Sequence, residues 1–145
     1  MTDTIAKYPP LLVDSIDTNT WTAPFWEATA RHQLAIPRCG DCGRFRMPPT
    51  PFCPGCQSQD IDWVTAGDAG VVYSFTLVTR SIIPGMEDSV PYVPAIIELP
   101  DAGGVRLITN IVETPLSEIS VGAACSLLWH DTANGYTLPV YRLSN

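Results

Sequence analysis

The stretch that decides the fold holds four cysteines in two closely spaced pairs, Cys39-Gly40-Asp41-Cys42 and Cys53-Pro54-Gly55-Cys56. Two residues between the thiols of a pair let both sulfur atoms face inward from one tight turn. Two such turns facing each other form a tetrahedral cage of thiolates, which is the geometry that zinc prefers in structural sites. The spacing therefore predicts one structural zinc ion, bound by Cys39, Cys42, Cys53 and Cys56, with no coordination position left open for water or substrate.

The same cysteines leave two alternatives. Iron bound as in rubredoxin would use the same four thiolates, and disulfide bonds would need an oxidising compartment. Five cysteines, four of them in a metal spacing, fit a reducing cytoplasm better, and residues 1–14 lack the basic start and apolar run of a secretory signal. We therefore expect a cytoplasmic chain, in which the fifth cysteine, Cys125, fills the core.

Length, hydropathy and charge exclude several classes of protein. The 145 residues fit one modest domain with a small appendage, and no stretch approaches the roughly 20 apolar residues that cross a membrane. The net charge of −7 opposes nucleic-acid binding, because phosphate contacts dominate its affinity. A small basic patch lies on or beside the cysteine pairs. It either binds a few phosphate groups or is an ordinary solvent-exposed rim, and its members are Arg31, Arg38, Arg44 and Arg46.

The chain upstream of the cysteines divides at about residue 20. Residues 1–20 show no sustained period and predict an extended arm that is poorly ordered in an isolated subunit. The segment from residue 20 to residue 32 predicts a helix, with Thr22 as its cap and Pro24 in its first turn. The aromatic residues of this segment are Trp21, Phe25 and Trp26. They either pack on the zinc ribbon or contact a partner protein, and we favour the contact with a partner, because aromatic residues are enriched at interfaces.

Short strands account for most of the remaining chain, so the predicted fold class is mainly β. Residues 21–66 are predicted to hold the helix and the zinc ribbon, and residues 67–145 a barrel. This part of the chain has five runs in which apolar and polar residues alternate, and a break with a predicted helical turn follows the third run. Such an order is expected of a five-stranded OB-fold barrel. The predicted strands are 34–38 and 61–65 in the ribbon, then 71–78, 92–99, 104–112, 124–130 and 136–143, with the last two joined through Asn134-Gly135.

Taken in order, these motifs resemble a known family. Arg38-Cys39-Gly40-Asp41-Cys42-Gly43, Cys53-Pro54-Gly55-Cys56 and Gly70-Val71-Val72-Tyr73-Ser74-Phe75-Thr76 are similar to the zinc-ribbon plus OB-fold, acyl-CoA-associated family, domain-of-unknown-function family 35. The likeness covers about residues 21–143. It implies a rubredoxin-like zinc ribbon followed by an OB barrel. It also implies a thiolase-like partner subunit that carries the catalytic cysteine and histidines.

The resemblance thus implies an accessory, non-catalytic subunit of a heteromeric thiolase, acyltransferase or retro-aldolase complex that handles acyl-CoA or a related acyl donor. Assembly and substrate access would be its roles. On this hypothesis the aromatic residues Trp21, Phe25 and Trp26 dock on the partner. The ribbon arginines border the channel where the phosphates of CoA pass, since a guanidinium donates two hydrogen bonds together; they are Arg38, Arg44 and Arg46.

The residues themselves agree with a non-catalytic chain. Nucleophilic catalysis needs a nucleophile and a base that meet in space. Cys125 is the one spare thiol, and His32 and His130 are the two imidazoles, neither with an acid partner evident from the sequence. The alternative function is a single-stranded nucleic-acid-binding OB protein that stacks bases on exposed aromatic side chains, and the acidic pI of about 4.5 disfavours it.

Overall fold

One α-helix and seven strands make up most of the regular structure of the described residues, 4–10 and 15–144, in the computed structural model. No helix within these ranges is long and apolar enough to cross a membrane. The elements, in chain order, are α1 (Ala23–Thr29), β1 (Leu34–Cys39), β2 (Ile61–Ala66), β3 (Ala69–Phe75), β4 (Val93–Leu99), β5 (Val105–Ile111), β6 (Ala124–Asp131) and β7 (Thr137–Leu143).

Strands β1 and β2 form the two-stranded sheet of the ribbon. They pair antiparallel from Leu34 opposite Ala66 to Cys39 opposite Ile61, so the first cysteine lies at the end of the sheet. The turn after it is closed by the Cys39 N–H, which donates to the carbonyl oxygen of Arg44 at 2.8 Å. The cysteine pairs are thus held at one end of a hydrogen-bonded ladder.

The other five strands close into a barrel in the order β3-β4-β5-β7-β6. Its neighbouring strands are antiparallel except β5 and β7, which run parallel. Burial alternates along β4, where Val93, Ala95, Ile97 and Leu99 face the interior, as the period of two predicts. The predicted class, mainly β with an N-terminal helix, a zinc ribbon and a five-stranded OB barrel, is confirmed.

The ribbon unit and the barrel share one apolar core. Phe25 of α1 and Leu34 and Ile36 of β1 belong to the same buried cluster as Ile97 and Tyr141 of the barrel. Burial of such side chains stabilises each by about 1.5–3 kcal/mol. The shared core therefore fixes where the ribbon lies against the barrel wall.

The helix is shorter than predicted. It begins at Ala23, and the Thr22 side chain makes no capping hydrogen bond. A turn precedes it instead, because the Asn19 side-chain oxygen accepts the backbone N–H groups of Trp21 and Thr22 at 2.9 and 3.0 Å. The helix ends before His32, whose φ of 57° is left-handed.

The predicted arm also needs a correction in residues 4–10. The Ala6 N–H donates to the Thr114 carbonyl oxygen at 2.9 Å, and the Glu113 N–H donates back to the Ala6 oxygen at 2.9 Å. Ala6 is buried as a result. This segment is therefore an addition to the barrel; the expectation for residues 1–3 and 11–14 lies outside the described residues.

We predict that Gly70→Ala destabilises the barrel by about 1–3 kcal/mol, the usual cost of overpacking a core. A Cβ at Gly70 would lie 2.6 Å from Cγ2 of Ile97 and 3.0 Å from Cε1 of Tyr141. Urea unfolding measures the loss. Gly67→Ala is the matched control, because its Cβ would meet the mobile end of the exposed Asp101 side chain. Equal free energies of unfolding for both variants would contradict the packing.

Candidate functional site

The four predicted metal ligands lie together. The Sγ atoms of Cys39, Cys42, Cys53 and Cys56 are all within 4.8 Å of one another. The closest pairs, Cys39 with Cys56 and Cys42 with Cys53, are 3.5 Å apart, and no disulfide joins them. Four sulfur atoms bound to one zinc ion at about 2.3 Å would lie about 3.8 Å apart. The arrangement therefore fits a tetrahedral metal site of four thiolates.

Backbone N–H groups of both turns favour the thiolate form. The Cys42 N–H donates to Sγ of Cys39 at 3.4 Å, and the Gly55 N–H donates to Sγ of Cys53 at 3.4 Å. The first of these lowers the pKa of Cys39 to about 6. The Ser58 hydroxyl donates to the Asp41 carboxylate and ties the two turns together. The pKa of Cys53 is lowered as well, whereas that of Cys42 and of Cys56 is raised, because hydrogen bonds with neighbouring sulfur atoms outweigh the backbone N–H groups of Arg44 and Ser58. The turns thus favour two of the four thiolates, the form that binds zinc.

The cage is closed, with four protein ligands, and one face of it meets solvent. Cys39 and Cys53 are buried, whereas Cys42 and Cys56 are exposed. A zinc ion with four cysteine ligands has no position for a water nucleophile, so it would hold the two turns together and not hydrolyse a substrate. That the chain binds one ion, and that the ion is zinc, stay predictions.

The three ribbon arginines differ in their surroundings. Arg44 is exposed, while Arg38 is half-buried, 3.8 Å from the Asp62 carboxylate and 5.8 Å from the centroid of the Phe45 ring. Arg46 is only 5% exposed, and its Nε and one terminal nitrogen donate to the Thr50 carbonyl oxygen at 3.1 and 2.9 Å. The expectation of three surface cations is corrected for Arg46, whose guanidinium holds the inter-cysteine loop.

The three aromatic residues of the predicted interface also separate. Phe25 is 7% exposed and belongs to the core, so its place there corrects the expectation of an exposed anchor. Trp26, whose ring meets that of Phe25 edge-on at 5.1 Å, stays partly exposed, as does Trp21. A short helix can bury one of its aromatic residues against the barrel while the neighbouring side chain points to another face.

A groove of about 570 Å³ lies between the helix, the inter-cysteine loop and the barrel. Trp26 and Phe25 form one wall, Met47, Pro48 and Pro49 a second, and strands β5 and β7 the third. Volumes of this size are typical of binding sites. The ribbon, the helix and the barrel all contribute, so the groove exists only where the units pack together.

One polar element of this groove was missed by the sequence analysis. The guanidinium carbon of Arg106, on β5, lies 3.7 Å from the centroid of the Tyr73 ring, on β3. Stacking of this kind holds a guanidinium flat on an aromatic face. The alternating pattern of each strand could have predicted that Tyr73 and Arg106 point outward. Their contact could not be predicted, because it depends on the order of the strands in the barrel.

The three candidate catalytic residues, Cys125, His32 and His130, have different surroundings. Burial of Cys125, which is 2% exposed, raises the pKa of its thiol to about 11. His32 Nε2 lies 3.1 Å from Oδ1 of Asp131, which corrects the expectation of a histidine without an acid partner. The His130 ring packs on Tyr8 at 4.6 Å. The confirmed prediction is that Cys125 fills the core.

Comparison with known proteins decides the family. Residues 26–62 match the ChsH2 rubredoxin-like zinc ribbon domain, and residues 63–130 match the ChsH2 C-terminal OB-fold domain. The solved structure of the "Ltp2-ChsH2(DUF35) aldolase" superposes with a TM-score of 0.79 at 37% identity, over 89% of this chain and 98% of that one. The chain belongs to the ChsH2-type DUF35 family. The resemblance inferred from the sequence is confirmed.

Another member of the DUF35 family and two longer proteins extend the comparison. A DUF35 protein of unknown function from Sulfolobus solfataricus shares the fold, with a TM-score of 0.63 at 19% identity over 88% of this chain and 87% of that one. The "Probable enoyl-CoA hydratase alpha subunit" of Thermomonospora curvata is 40% identical over 81% of this chain. The "3-oxo-4,17-pregnadiene-20-carboxyl-CoA hydratase alpha subunit" of Mycobacterium tuberculosis is 33% identical over 70% of this chain. The chain spans about a third of these two proteins, 36% and 31% of their lengths.

We predict that Cys39→Ser lowers the bound zinc from about one ion per chain to less than about a third, because three ligands leave the cage open. Elemental analysis of the purified chain measures the ratio. Zinc binding contributes on the order of 10–16 kcal/mol to folding of such ribbons, so the variant should also lose protease resistance between residues 39 and 60. Cys125→Ala is the control and should retain the metal. A variant with full zinc content would contradict the site.

Proposed function

We propose that this chain is a non-catalytic, metal-binding subunit of a heteromeric thiolase-superfamily complex that handles acyl-CoA or a related acyl donor. Its work is assembly of the complex and access of the substrate, while a thiolase-like partner carries out thiolase, acyltransferase or retro-aldolase chemistry. The observation that carries the proposal is the likeness to the "Ltp2-ChsH2(DUF35) aldolase", 37% identical over 89% of this chain.

The chemistry of the individual groups supports this. A thiol with a pKa of about 11 is almost wholly protonated at neutral pH, so Cys125 is a poor nucleophile as well as buried. His32 and Asp131 are both exposed, and the Thr137 hydroxyl and then His32 hold the pKa of Asp131 below its ordinary value. That hydroxyl donates to the Asp131 carboxylate at 2.8 Å, so it does not face the imidazole as a nucleophile would. These surroundings therefore support a catalytic centre on another subunit.

The partnership is supported by the relative that covers nearly the same length. The name of that structure joins Ltp2 with ChsH2(DUF35) in an aldolase, so the DUF35 protein there stands beside a second protein. In this chain Trp21 and Trp26 remain partly exposed, and Trp26 lines an apolar groove. Exposed aromatic side chains at such a position are the usual anchors of an interface.

Handling of a CoA-linked donor is supported by charge. Arg44 is exposed just after the first cysteine pair, and Arg38, on β1, lies opposite Phe45, the residue that follows Arg44. We propose that these two face the phosphates of the donor; Arg46 is left out of this role because it is buried. The names of the two longer relatives, both hydratase alpha subunits, each contain a CoA ester.

Those names also favour a second candidate, a subunit of an acyl-CoA hydratase. It differs from the first in the partner's reaction, which would be addition of water to a carbon–carbon double bond. The two are separated by purifying the complex from the native host and assaying it with an enoyl-CoA, with a β-hydroxyacyl-CoA, and with a β-ketoacyl-CoA plus free CoA. Cleavage or acyl transfer favours the thiolase-superfamily partner, and hydration without either favours the hydratase.

We predict that Trp26→Ala weakens binding of the catalytic subunit that co-purifies with the native chain by about 2 kcal/mol or more, the usual loss at an aromatic anchor. Sedimentation velocity of the reconstituted pair measures the dissociation constant. Phe52→Ala, which truncates an exposed aromatic residue of the ribbon outside the groove, is the control and should change the binding free energy by less than about 0.5 kcal/mol.

Two outcomes would contradict the proposal. One is assembly with unchanged affinity in Trp26→Ala. The other is turnover of an acyl-CoA thioester by the isolated chain that disappears in Cys125→Ala, because the chain would then hold its own nucleophile.

We further predict that Arg44→Ala raises the KM of the assembled complex for a CoA-linked donor about fivefold or more, since hydrogen bonds to charged groups contribute about 1.5–3 kcal/mol. Assembly should stay intact. Arg80→Ala, in the exposed loop between β3 and β4, should leave KM unchanged. The effect should vanish with a donor that lacks CoA, and an unchanged KM with the CoA donor would remove Arg44 from the phosphate site.

A further inference from the structure

A contact beyond the end of helix α1 joins two walls of the groove. Trp26 of α1 lines the groove on one side, and Leu138 and Pro139 of β7 line it on another. Asp131 ends β6 and lies directly opposite Thr137, the first residue of β7. A contact from the helix end to Asp131 therefore connects the helix wall to the strand that forms the β7 wall.

His32 makes this contact with two side chains of β6. Its Nε2 lies 3.1 Å from Oδ1 of Asp131, and its ring stacks on the Trp129 indole, with centroids 5.4 Å apart and planes 11° from parallel. Trp129 and Asp131 are two residues apart on the strand, so they point to the same face. The imidazole is thus held by a hydrogen bond at its edge and by an aromatic ring on its face.

The backbone ties His32 to the last turn of the helix. The His32 N–H donates to the Thr29 carbonyl oxygen at 2.8 Å, and the Gln33 N–H donates to the Ala28 oxygen at 3.0 Å. These are the paired bonds of a Schellman turn, in which His32, at a φ of 57°, takes the left-handed position that glycine usually occupies. Because two hydrogen bonds close this turn, the imidazole and the end of α1 move together.

The hairpin side of the contact is ordered as well. Oδ1 of Asp131 accepts a hydrogen bond from the Thr137 hydroxyl at 2.8 Å. This hydroxyl first, and then His32, hold the pKa of Asp131 below its ordinary value, so the carboxylate is charged at neutral pH. Asp131 therefore links β7 to the helix end through one carboxylate oxygen.

Apolar packing alone does not fix this end of the helix. Phe25, Ala28 and Thr29 bury one face of α1, but hydrophobic contacts are not directional. The hydrogen bond and the stack made by His32 have defined directions, and they act beyond the last buried residue of the helix. The position of the helix end relative to the hairpin thus depends on His32.

We propose that His32 and Asp131 form a latch that holds the helix wall of the groove at a set distance from the β7 wall, and that opening this latch weakens binding of the catalytic subunit at Trp26. The first part concerns the free chain. The second part rests on the proposed function, because it requires a catalytic subunit that docks on the helix. Both residues are positioning residues, and neither is proposed to touch a substrate.

The surroundings of the pair favour this role over two others. A metal ion would need a third ligand, and the described residues place no further cysteine, histidine or carboxylate in a group with His32 and Asp131. A catalytic pair would need a nucleophile that faces the imidazole, whereas the neighbouring Thr137 hydroxyl donates to the carboxylate. A structural link between the helix and the hairpin remains.

A double-mutant cycle in the free chain tests the latch. Amide exchange measured by NMR reports the protection of the Ala30 and Gln33 N–H groups, which donate to carbonyl oxygens of α1. His32→Asn keeps a residue that tolerates the left-handed backbone but lacks the ring. This variant and Asp131→Asn should each lower the protection about threefold, the size of effect measured for exposed pairs. The double variant should lose little more than either single variant. Unchanged protection, or strictly additive losses, would overturn the latch.

The titration of Asp131 is a readout that a merely structural role would not move. NMR titration of its side-chain carboxyl should show the pKa rising toward the ordinary value in His32→Asn, and also in Thr137→Val. Because the pKa is lower in the folded chain, the stabilisation by the latch is present above the ordinary pKa of a carboxyl and is lost as the pH falls through the folded value. An unchanged titration in His32→Asn would overturn the contact.

Affinity for the purified catalytic subunit tests the second part. Sedimentation velocity should give a Kd about threefold higher or more for His32→Asn and for Asp131→Asn, with a less than additive rise in the double variant. His130→Asn is the matched control. His130 precedes Asp131, but its ring packs on Tyr8, and neither of these two residues lines the groove, so the Kd should not change.

The outcomes separate this inference from the proposed function. Lost protection with an unchanged Kd overturns the link between the latch and the partner surface. A rise of Kd in His130→Asn equal to that in His32→Asn overturns that link too, because the effect would not be specific to the latch. Failure of any catalytic subunit to bind the wild-type chain overturns the proposed function, and the exchange and titration results then decide the latch in the free chain.

Discussion

The groove depends on the meeting of four cysteine sulfur atoms, which lie within 4.8 Å of one another and can bind a metal ion. The loop between the cysteine pairs contains no named strand or helix, and two backbone hydrogen bonds hold its start to β1: the Cys39 N–H donates to the Arg44 oxygen at 2.8 Å and the Arg46 N–H to the Pro37 oxygen at 3.0 Å. Its first part, Met47 to Pro49, forms a wall of the groove. The metal site closes the ends of this loop, and the buried guanidinium of Arg46 holds its middle through the Thr50 carbonyl oxygen. The cysteine site and Arg46 therefore help to set the shape of one wall of the groove.

The shared core carries that constraint to the barrel. Leu34 and Ile36 lie on the strand that leads into Cys39, and both are packed with barrel residues such as Ile97. The ribbon cannot shift without opening this core, and Phe25 anchors the helix in the same cluster. Trp26 and the exposed side chain of Ile108 are thus presented at fixed positions in one groove. A rigid surface of this kind loses little entropy when a partner binds.

Local patterns predicted the fold well, because spacing and alternation are properties of neighbouring residues. The two Cys-x-x-Cys turns predicted the ribbon. The alternation of apolar and polar residues predicted the bounds of the barrel strands to within a few residues. Features that join distant parts of the chain could not be predicted in this way. His32 and Asp131 lie 99 residues apart in sequence, and the stacking of Arg106 on Tyr73 requires the closed barrel. The burial of Arg46 likewise depends on how the loop folds back, which charge alone does not reveal.

The dependence of the partner surface on the metal is tested most directly by measuring the affinity for the catalytic subunit against zinc content. A chelator would remove zinc from samples of the chain to a series of lower levels, and zinc would then be added back. Sedimentation velocity would compare the binding of the catalytic subunit at each level. The binding-competent fraction should fall in proportion to the zinc removed and return when zinc is added, because the loop wall of the groove is lost with the metal. A zinc-free chain that binds the catalytic subunit with an unchanged Kd would show that the ribbon does not build this surface.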